Sequence, residues 1–352
     1  MPEPLAPTLR LNIDTAAIAQ NWRVLDSMSG AASAGAAVKA DAYGLGLAKA
    51  VPALIKAGCR SYFVAHWGEA KKLLKYVPPQ QISVLHGPLN AAEAQFAVSS
   101  GIIPVINSFH QANIWKDAGG KLCDVMVDTG INRLGLAMDD IGGGLATSLS
   151  VRTLMSHLAS ADEDGARNGQ QRAKFKGAMD IIPACQYSLA NSAGIALGPD
   201  YAYDLTRPGL ALYGGIPRPE LAGVIRQVAF LEAAILQIRT LKTGDTVGYN
   251  ATFTARVDMQ VGVVSLGYAD GFLRSWAGHA VLMHHGNTLP VLGKISMDMI
   301  VVDLTSVPHC REGDWLEVPY ALPEAARHSG LSQYELLTIL GQRFARRTKF
   351  SH

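Results

Sequence analysis

The residues able to do chemistry stand in short strings bracketed by glycines. In AAVKADAYGLG (36–46) an apolar run ends in Lys39 and is followed by Tyr43, Gly44 and Gly46. A lysine at the end of a buried strand is held away from water, which disfavours its ammonium and leaves an amine suited to a Schiff base with an aldehyde cofactor. Pairing with Asp41, two residues on, is the structural alternative. In DTGINRLG (128–135) Arg133 stands in a glycine-flanked turn, where its guanidinium fork suits a carboxylate or a surface ion pair. NSAGIAL (191–197) and TRPGLALYGG (206–215) place Ser192, Gly209 and Leu210 where free amides and small side chains could meet a phosphate. Arg207, just ahead of Gly209, could meet a ring nitrogen or a carboxylate. His157 in MSHLASADE (155–163) reads equally well as a satisfied core histidine and as a functional group. VGYNATFTA (247–255), GYADGFLR (267–274) and GKISMDM (293–299) set Tyr249, Tyr268 and Met297 among glycines and acids. A tyrosine acts as a base near neutrality only where a cation stabilises its phenolate.

These strings need elements to hold them. Short apolar runs alternate with longer amphipathic stretches from Ala34 to about Gly214: AGAAVKA (34–40), SYFVAH (61–66), ISVLHG (82–87), IPVIN (103–107), CDVMVD (123–128), VRTLMSH (151–157), QYSLAN (186–191) and GLALYG (209–214). Eight such runs predict a (β/α)8 barrel over residues 8–225, with its chemistry on the loops that leave the strand C-termini. Residues 226–352 change to strand-rich segments with turn signals, predicting a mainly antiparallel β domain that residues 1–7 are free to join. Near the C-terminus, YALPEAARHSGLSQYELLTILGQRF reads as helical, with Ser332 as N-cap and Leu336, Leu337 and Leu340 on one face.

A chain of 352 residues, 49% hydrophobic and 17% charged, is large enough for two domains. Its net charge of +2 comes from interleaved signs, so neither nucleic acid nor a membrane is expected as a partner and a small molecule is. Cys59, Cys123, Cys185 and Cys310 are far apart, without a CxxC pair, which argues against a zinc site or disulfides and for buried, inert thiols. No signal peptide or long apolar span is evident, so a cytoplasmic location is expected.

Taken together and in this order, the strings resemble the alanine racemase family, whose fold is a barrel binding pyridoxal 5′-phosphate (PLP) followed by a β domain. AVKADAYG resembles the family's cofactor-lysine motif, DTGINRLG its carboxylate-side arginine motif, TRPGLALYG its pyridine-contacting arginine motif and VGYNATFTA its catalytic-tyrosine motif. The step from Tyr249 to Tyr268 also matches. The resemblance implies interconversion of L- and D-alanine by two bases, Lys39, which also carries PLP, and Tyr249 of a second subunit, and hence a homodimer with shared sites. It further implies that Tyr43, Ser192, Gly209 and Leu210 hold the phosphate, His157 supports the ring and Arg207 meets the pyridine nitrogen. Arg133, Tyr268 and Met297 would line the substrate end. Three positions depart from the family. Met126 replaces a lysine that many relatives carry as a carbamate beside the arginine, so another group, a water or a chloride must offset Arg133. Leu45 replaces a histidine, and Thr348 a tyrosine of the phosphate site. A racemase of serine or of broader range is the nearest alternative. A PLP-dependent decarboxylase would carry an acid at the position of Arg207, and a PLP-binding homeostasis protein would not need residues 226–352.

Overall fold

A computed structural model describes residues 6–142, 144 and 148–349. The chain divides into two compact units, one running from Ala16 to Arg226 and one combining the residues up to Thr15 with those from Gln227 onward.

The first unit is built on parallel strands in chain order: Ala36–Ala37, Tyr62–Val64, Ile82–Val84, Ile103–Ile106, Leu122–Asp128, Ser150–Met155 and Gln186–Ser188. Their register sets Ala36 opposite Tyr62, Tyr62 opposite Ile82 and Val105 opposite Asp124. Tyr62–Val64, Ile82–Val84 and Ile103–Ile106 are buried throughout, which is why they read as unbroken apolar runs rather than alternating ones. The eighth strand is Leu205–Thr206, parallel to Ser33–Ala34, and it meets the seventh through Asp204 N–H to Tyr187 O (3.1 Å) and Arg207 N–H to Ala190 O (2.8 Å). This corrects the expectation of a strand over 209–214. Leu210–Tyr213 forms a 3-10 helix whose four side chains are all buried, so its apolar run reflects wedging into the core rather than sheet pairing. Helices fill most of the connections, whereas the described part of the one after Leu122–Asp128 carries the short strand Leu136–Ala137. Asn90 and Ser108 cap two of the helices by accepting N–H bonds from Glu93 and Gln111.

The second unit is organised by the strand Ala229–Leu241. Its first half pairs antiparallel with Leu9–Ile13 and Trp315–Val318, and its second half with Met259–Val264, so the sheet curls back on itself. The barrel was expected to start at residue 8, yet Leu9–Ile13 lies in this other sheet, with Leu11 opposite Leu231 and a buried-to-intermediate alternation along LRLNI. Arg10 and Asn12 occupy the less buried face. The C-terminal helices run over Leu322–Ser329 and Gln333–Thr338. Ser332 caps the second in a box with Glu335, and Leu336, Leu337 and Leu340 are buried, as the sequence reading anticipates. Cys59, Cys123 and Cys310 are buried, but Cys185 is exposed, correcting the expectation of four buried thiols. It precedes the strand Gln186–Ser188, and its backbone N–H donates to Val151 O (3.2 Å).

Candidate active site

Lys39 opens a turn in which Ala40, Asp41, Ala42 and Tyr43 all adopt left-handed backbone, with φ between 52° and 56°. Non-glycine residues pay for that conformation in clashes between Cβ and carbonyl oxygen, so four in succession must be held by their surroundings. Much of the hold comes from Glu69, a residue the sequence reading passed over. Its two carboxylate oxygens accept from Ala40 N–H (2.6 Å) and Ala65 N–H (2.8 Å), while Asp41 accepts from Leu47 N–H (2.9 Å). Burial pushes the Lys39 amine below its ordinary pKa, Arg133 lowers it further, and Glu69 acts the other way. The neutral, nucleophilic amine is favoured accordingly.

Around Lys39 the barrel gathers cations. His157 is held down to a pKa of about 3 by burial, and then by the charges of Arg207, Arg133 and Lys39, so it is a neutral imidazole near pH 7. Gln171 orients its segment by donating to the His157 carbonyl (3.0 Å) and to Thr129 Oγ1 (3.2 Å). Arg207 is buried, and burial lowers its pKa to about 10 even though Asp124 opposes the change. Its guanidinium donates to the Ser188 hydroxyl and the Ser156 carbonyl, and no carboxylate among the described residues pairs with it. A buried guanidinium without a counter-ion is costly, and a neutral ring acceptor or an anionic ligand would relieve it.

Arg133 is exposed in the isolated chain. Asp128 shapes its turn by accepting from Gly130, Ile131 and Arg133 N–H (2.8, 3.0 and 2.9 Å). Burial opposes the Asp128 charge, but those backbone bonds and one from Asn132 outweigh it and hold the carboxyl below the usual range. Asp128 is thereby occupied, and no carboxylate among the described residues pairs with the Arg133 guanidinium. Met126 is buried and apolar, so it supplies no anion either.

A third feature sits at Gly209. A Cβ built there would lie 2.2 Å from Tyr43 Oη, so only glycine lets the tyrosine hydroxyl approach this backbone. Ser192 Oγ accepts from Gly209 N–H (3.0 Å) and Ala211 N–H (3.2 Å), which leaves its proton to donate outward. Between those two amides, the N–H of Leu210 opens the 3-10 helix and meets no acceptor among the described residues. Two hydroxyls and a helix-opening amide form a cradle of the kind that phosphate oxygens occupy.

The structure thus brings Lys39, Arg133, His157 and Arg207 into one electrostatic cluster, and Tyr43, Ser192, Gly209 and Leu210 into one cradle. On the β-rich unit, Ala269 N–H reaches Met297 O (3.0 Å) and Tyr268 N–H reaches Ser296 O (3.1 Å), setting Tyr268 beside Met297. Arg274 lies over the Tyr268 ring at 5.3 Å. Asp270, unremarked in the sequence, is buried beneath them and accepts from Gly267 N–H and from two nitrogens of Arg343. Tyr249 is 65% exposed on a turn with positive φ at Gly248, Asn250 and Ala251, and Met297 is 52% exposed.

A phosphorylated aldehyde with an aromatic ring nitrogen answers the demands of the barrel at once: an amine for the aldehyde, an uncharged imidazole, a donor for the nitrogen and a cradle for the phosphate. The donor set fits, and the fold and site together define a PLP-dependent barrel enzyme. The comparisons narrow the class. The alanine racemase N-terminal domain matches residues 13–217 and the C-terminal domain residues 228–348. The alanine racemase of Methylobacterium nodulans is 41% identical over 353 residues, covering 96% of this chain and 95% of its own. The biosynthetic alanine racemase of Agrobacterium fabrum is 38% identical over 364 residues, covering 96% and 93%. Among solved structures, the Bartonella henselae alanine racemase with covalently bound pyridoxal phosphate matches with a TM-score of 0.89 at 36% identity, covering 96% of this chain and 99% of its own. The chain belongs to the alanine racemase family. Among the described residues no helix is long and apolar enough to cross a membrane.

Proposed function

We propose that this protein interconverts L- and D-alanine with PLP held on Lys39, and that Lys39 and Tyr249 are its two proton-transfer groups. The observation that carries the reading is the placement of a pKa-lowered lysine on a left-handed turn beside the Gly209 cradle, within a chain that matches alanine racemases along nearly its whole length. PLP, when bound, supplies the conjugated ring over which the negative charge left by the departing α-proton spreads. Tyr43, Ser192, Gly209 and Leu210 would hold its phosphate, His157 would support the ring, and Arg207 would donate to the pyridine nitrogen. Arginine keeps its proton there, so the ring stays largely unprotonated and side reactions are restrained. Arg133 and the Tyr268–Met297 pair would hold the substrate end. The Lys39 amine takes or returns the α-proton on one face and the Tyr249 phenol does so on the other, which is what inversion requires.

A residue as exposed as Tyr249, on a turn strained enough to display it, has its function completed by something outside the isolated chain. We assign that role to a second copy, in a homodimer where each site takes Lys39 from one subunit and Tyr249 and Met297 from the other. The test mixes two inactive variants. Tyr249→Phe should lose roughly 10²–10⁴-fold in racemisation while keeping PLP on Lys39, and Lys39→Ala should be inactive. Co-refolded, the two give hybrids with one intact site, regaining up to about a quarter of the wild-type rate under random pairing. Mixtures that stay inactive overturn the shared site, and near-normal racemisation by the Phe variant overturns the role of Tyr249. Borohydride followed by peptide mapping should place the pyridoxyl label on Lys39, and a label elsewhere overturns that assignment.

A further inference from the structure

The β-rich unit gathers a second set of donor side chains that the reaction does not use. His284, Cys310 and Asp314 bring a ring nitrogen, a sulfur and a carboxylate oxygen within 4.8 Å of one another. His284 ends the strand Val281–His284, whereas Cys310 and Asp314 belong to the connection leading into Trp315–Val318. The three line a cavity of about 790 Å³ whose wall also carries His285, His309 and Glu317. Cys310 is buried, and the other two are half-buried.

Each donor is partly oriented already. Asp314 Oδ2 accepts from Arg311 N–H (2.7 Å), which fixes the carboxylate and leaves Oδ1 to bind. His284 Nδ1 lies 3.3 Å from the Trp315 carbonyl oxygen. With the proton on Nδ1, the lone pair sits on Nε2, and a backbone carbonyl is a usual partner for orienting a metal-binding imidazole. The chemistry of the set is selective. Calcium and magnesium take oxygen ligands, whereas a thiolate with an imidazole and one carboxylate suits a borderline cation, zinc above all. Donor atoms around tetrahedral zinc are separated by roughly 3.5 Å, so a cluster already within 4.8 Å needs only side-chain adjustment.

We infer that His284, Cys310 and Asp314 form a structural site for a zinc-like divalent cation, with water or a neighbouring histidine or glutamate as fourth ligand. The cation staples the end of the strand Val281–His284 to the connection that carries Cys310 and Asp314. The sequence-based expectation against zinc rests on spacing along the chain, and these donors approach only through the fold. The experiment uses the full-length PLP-loaded protein, stripped with a chelator and titrated with zinc against a chromophoric competitor, and in parallel with cobalt(II). The expected result is one high-affinity equivalent per chain, a thiolate-to-cobalt charge-transfer band and a zinc-dependent rise in Tm. Cys310→Ser should lose the band and the Tm response, and His284→Gln should weaken zinc by roughly tenfold or more, both with unchanged PLP content. If Cys310→Ser folds poorly, His284→Gln decides. No stoichiometric uptake by the wild type, or uptake undiminished in His284→Gln, overturns the site.

Discussion

Removing the charge of Glu69 tests how Lys39 is held. The turn from Ala40 to Tyr43 places four non-glycine residues at φ between 52° and 56°, each at a cost of about 1–2 kcal/mol, or roughly 4–8 kcal/mol together. Glu69 opposes that cost with charged hydrogen bonds to Ala40 N–H and Ala65 N–H, each contributing about 1.5–3 kcal/mol. Strain and restraint are of the same size. In Glu69→Gln one oxygen still accepts, but the amide nitrogen faces the other N–H donor, so one bond is lost and one N–H is left unpaired. The expected loss is about 2–4 kcal/mol, seen as a lower urea midpoint at unchanged slope. Glu69 also raises the pKa of Lys39 against burial and Arg133. Without its charge the amine deprotonates at lower pH, so the pH profile of PLP uptake by the cofactor-free protein should move to lower pH. A variant with the wild-type urea midpoint and an unmoved profile would refute the argument, because both effects follow from the same carboxylate.

Other perturbations follow from the same geometry. Ala40 is exposed at φ 52°, so Ala40→Gly should raise stability by about 0.5–1 kcal/mol and Ala40→Val lower it by at least about 1 kcal/mol, read from denaturant midpoints; a valine variant as stable as the parent would deny the left-handed turn. Gly209→Ala drives a methyl to 2.2 Å from Tyr43 Oη, so it should cost about 1–3 kcal/mol and weaken PLP binding, and unchanged PLP affinity would remove Tyr43 and Gly209 from the phosphate site. His157 stays neutral in the fold down to about pH 3, while an unfolded histidine protonates below about 6.5. The unfolded chain therefore binds the extra proton as pH falls between those values, and stability drops across that window; His157→Gln should flatten this acid limb, and an unaltered limb would count against the burial of the imidazole.

Much of this site was legible because its parts are local. A strand-end lysine, a glycine-flanked arginine and a serine opening a helix announce themselves within a few residues, and the barrel strands Tyr62–Val64, Ile82–Val84 and Ile103–Ile106 announce themselves because strands buried on both faces are nearly unbroken apolar runs. The failures share the opposite property. Leu205–Thr206 closes the barrel with two residues, too few to leave a pattern, while the apolar GLALYG run next to it packs as a 3-10 helix. Leu9–Ile13 does alternate as a half-buried strand should, but nothing local says that its partner, Ala229–Leu241, lies far along the chain. Glu69 looks like an ordinary acid on the helix Trp67–Leu73; its task is visible only once Ala40 and Ala65 meet its carboxylate. KADAY offers no glycine to warn of left-handed backbone.

That last point bears on why the site is built as it is. A right-handed continuation from Lys39 would use Ala40, Asp41, Ala42 and Tyr43 without strain, so the left-handed turn persists because the surroundings require it. It delivers the Tyr43 hydroxyl to the Gly209 backbone, where a Cβ would block it, and keeps the tyrosine ring 4.9 Å from Tyr213, whose own hydroxyl donates to Ala37 O in the strand that leads to Lys39. Lys39 and Tyr43 are thereby locked to one another through one short, strained segment. The distance between Lys39 and the Gly209 cradle is then set by the backbone rather than by flexible side chains. Strain at Ala40–Tyr43, the carboxylate of Glu69 and the missing side chain at Gly209 are three parts of a single device for holding that distance.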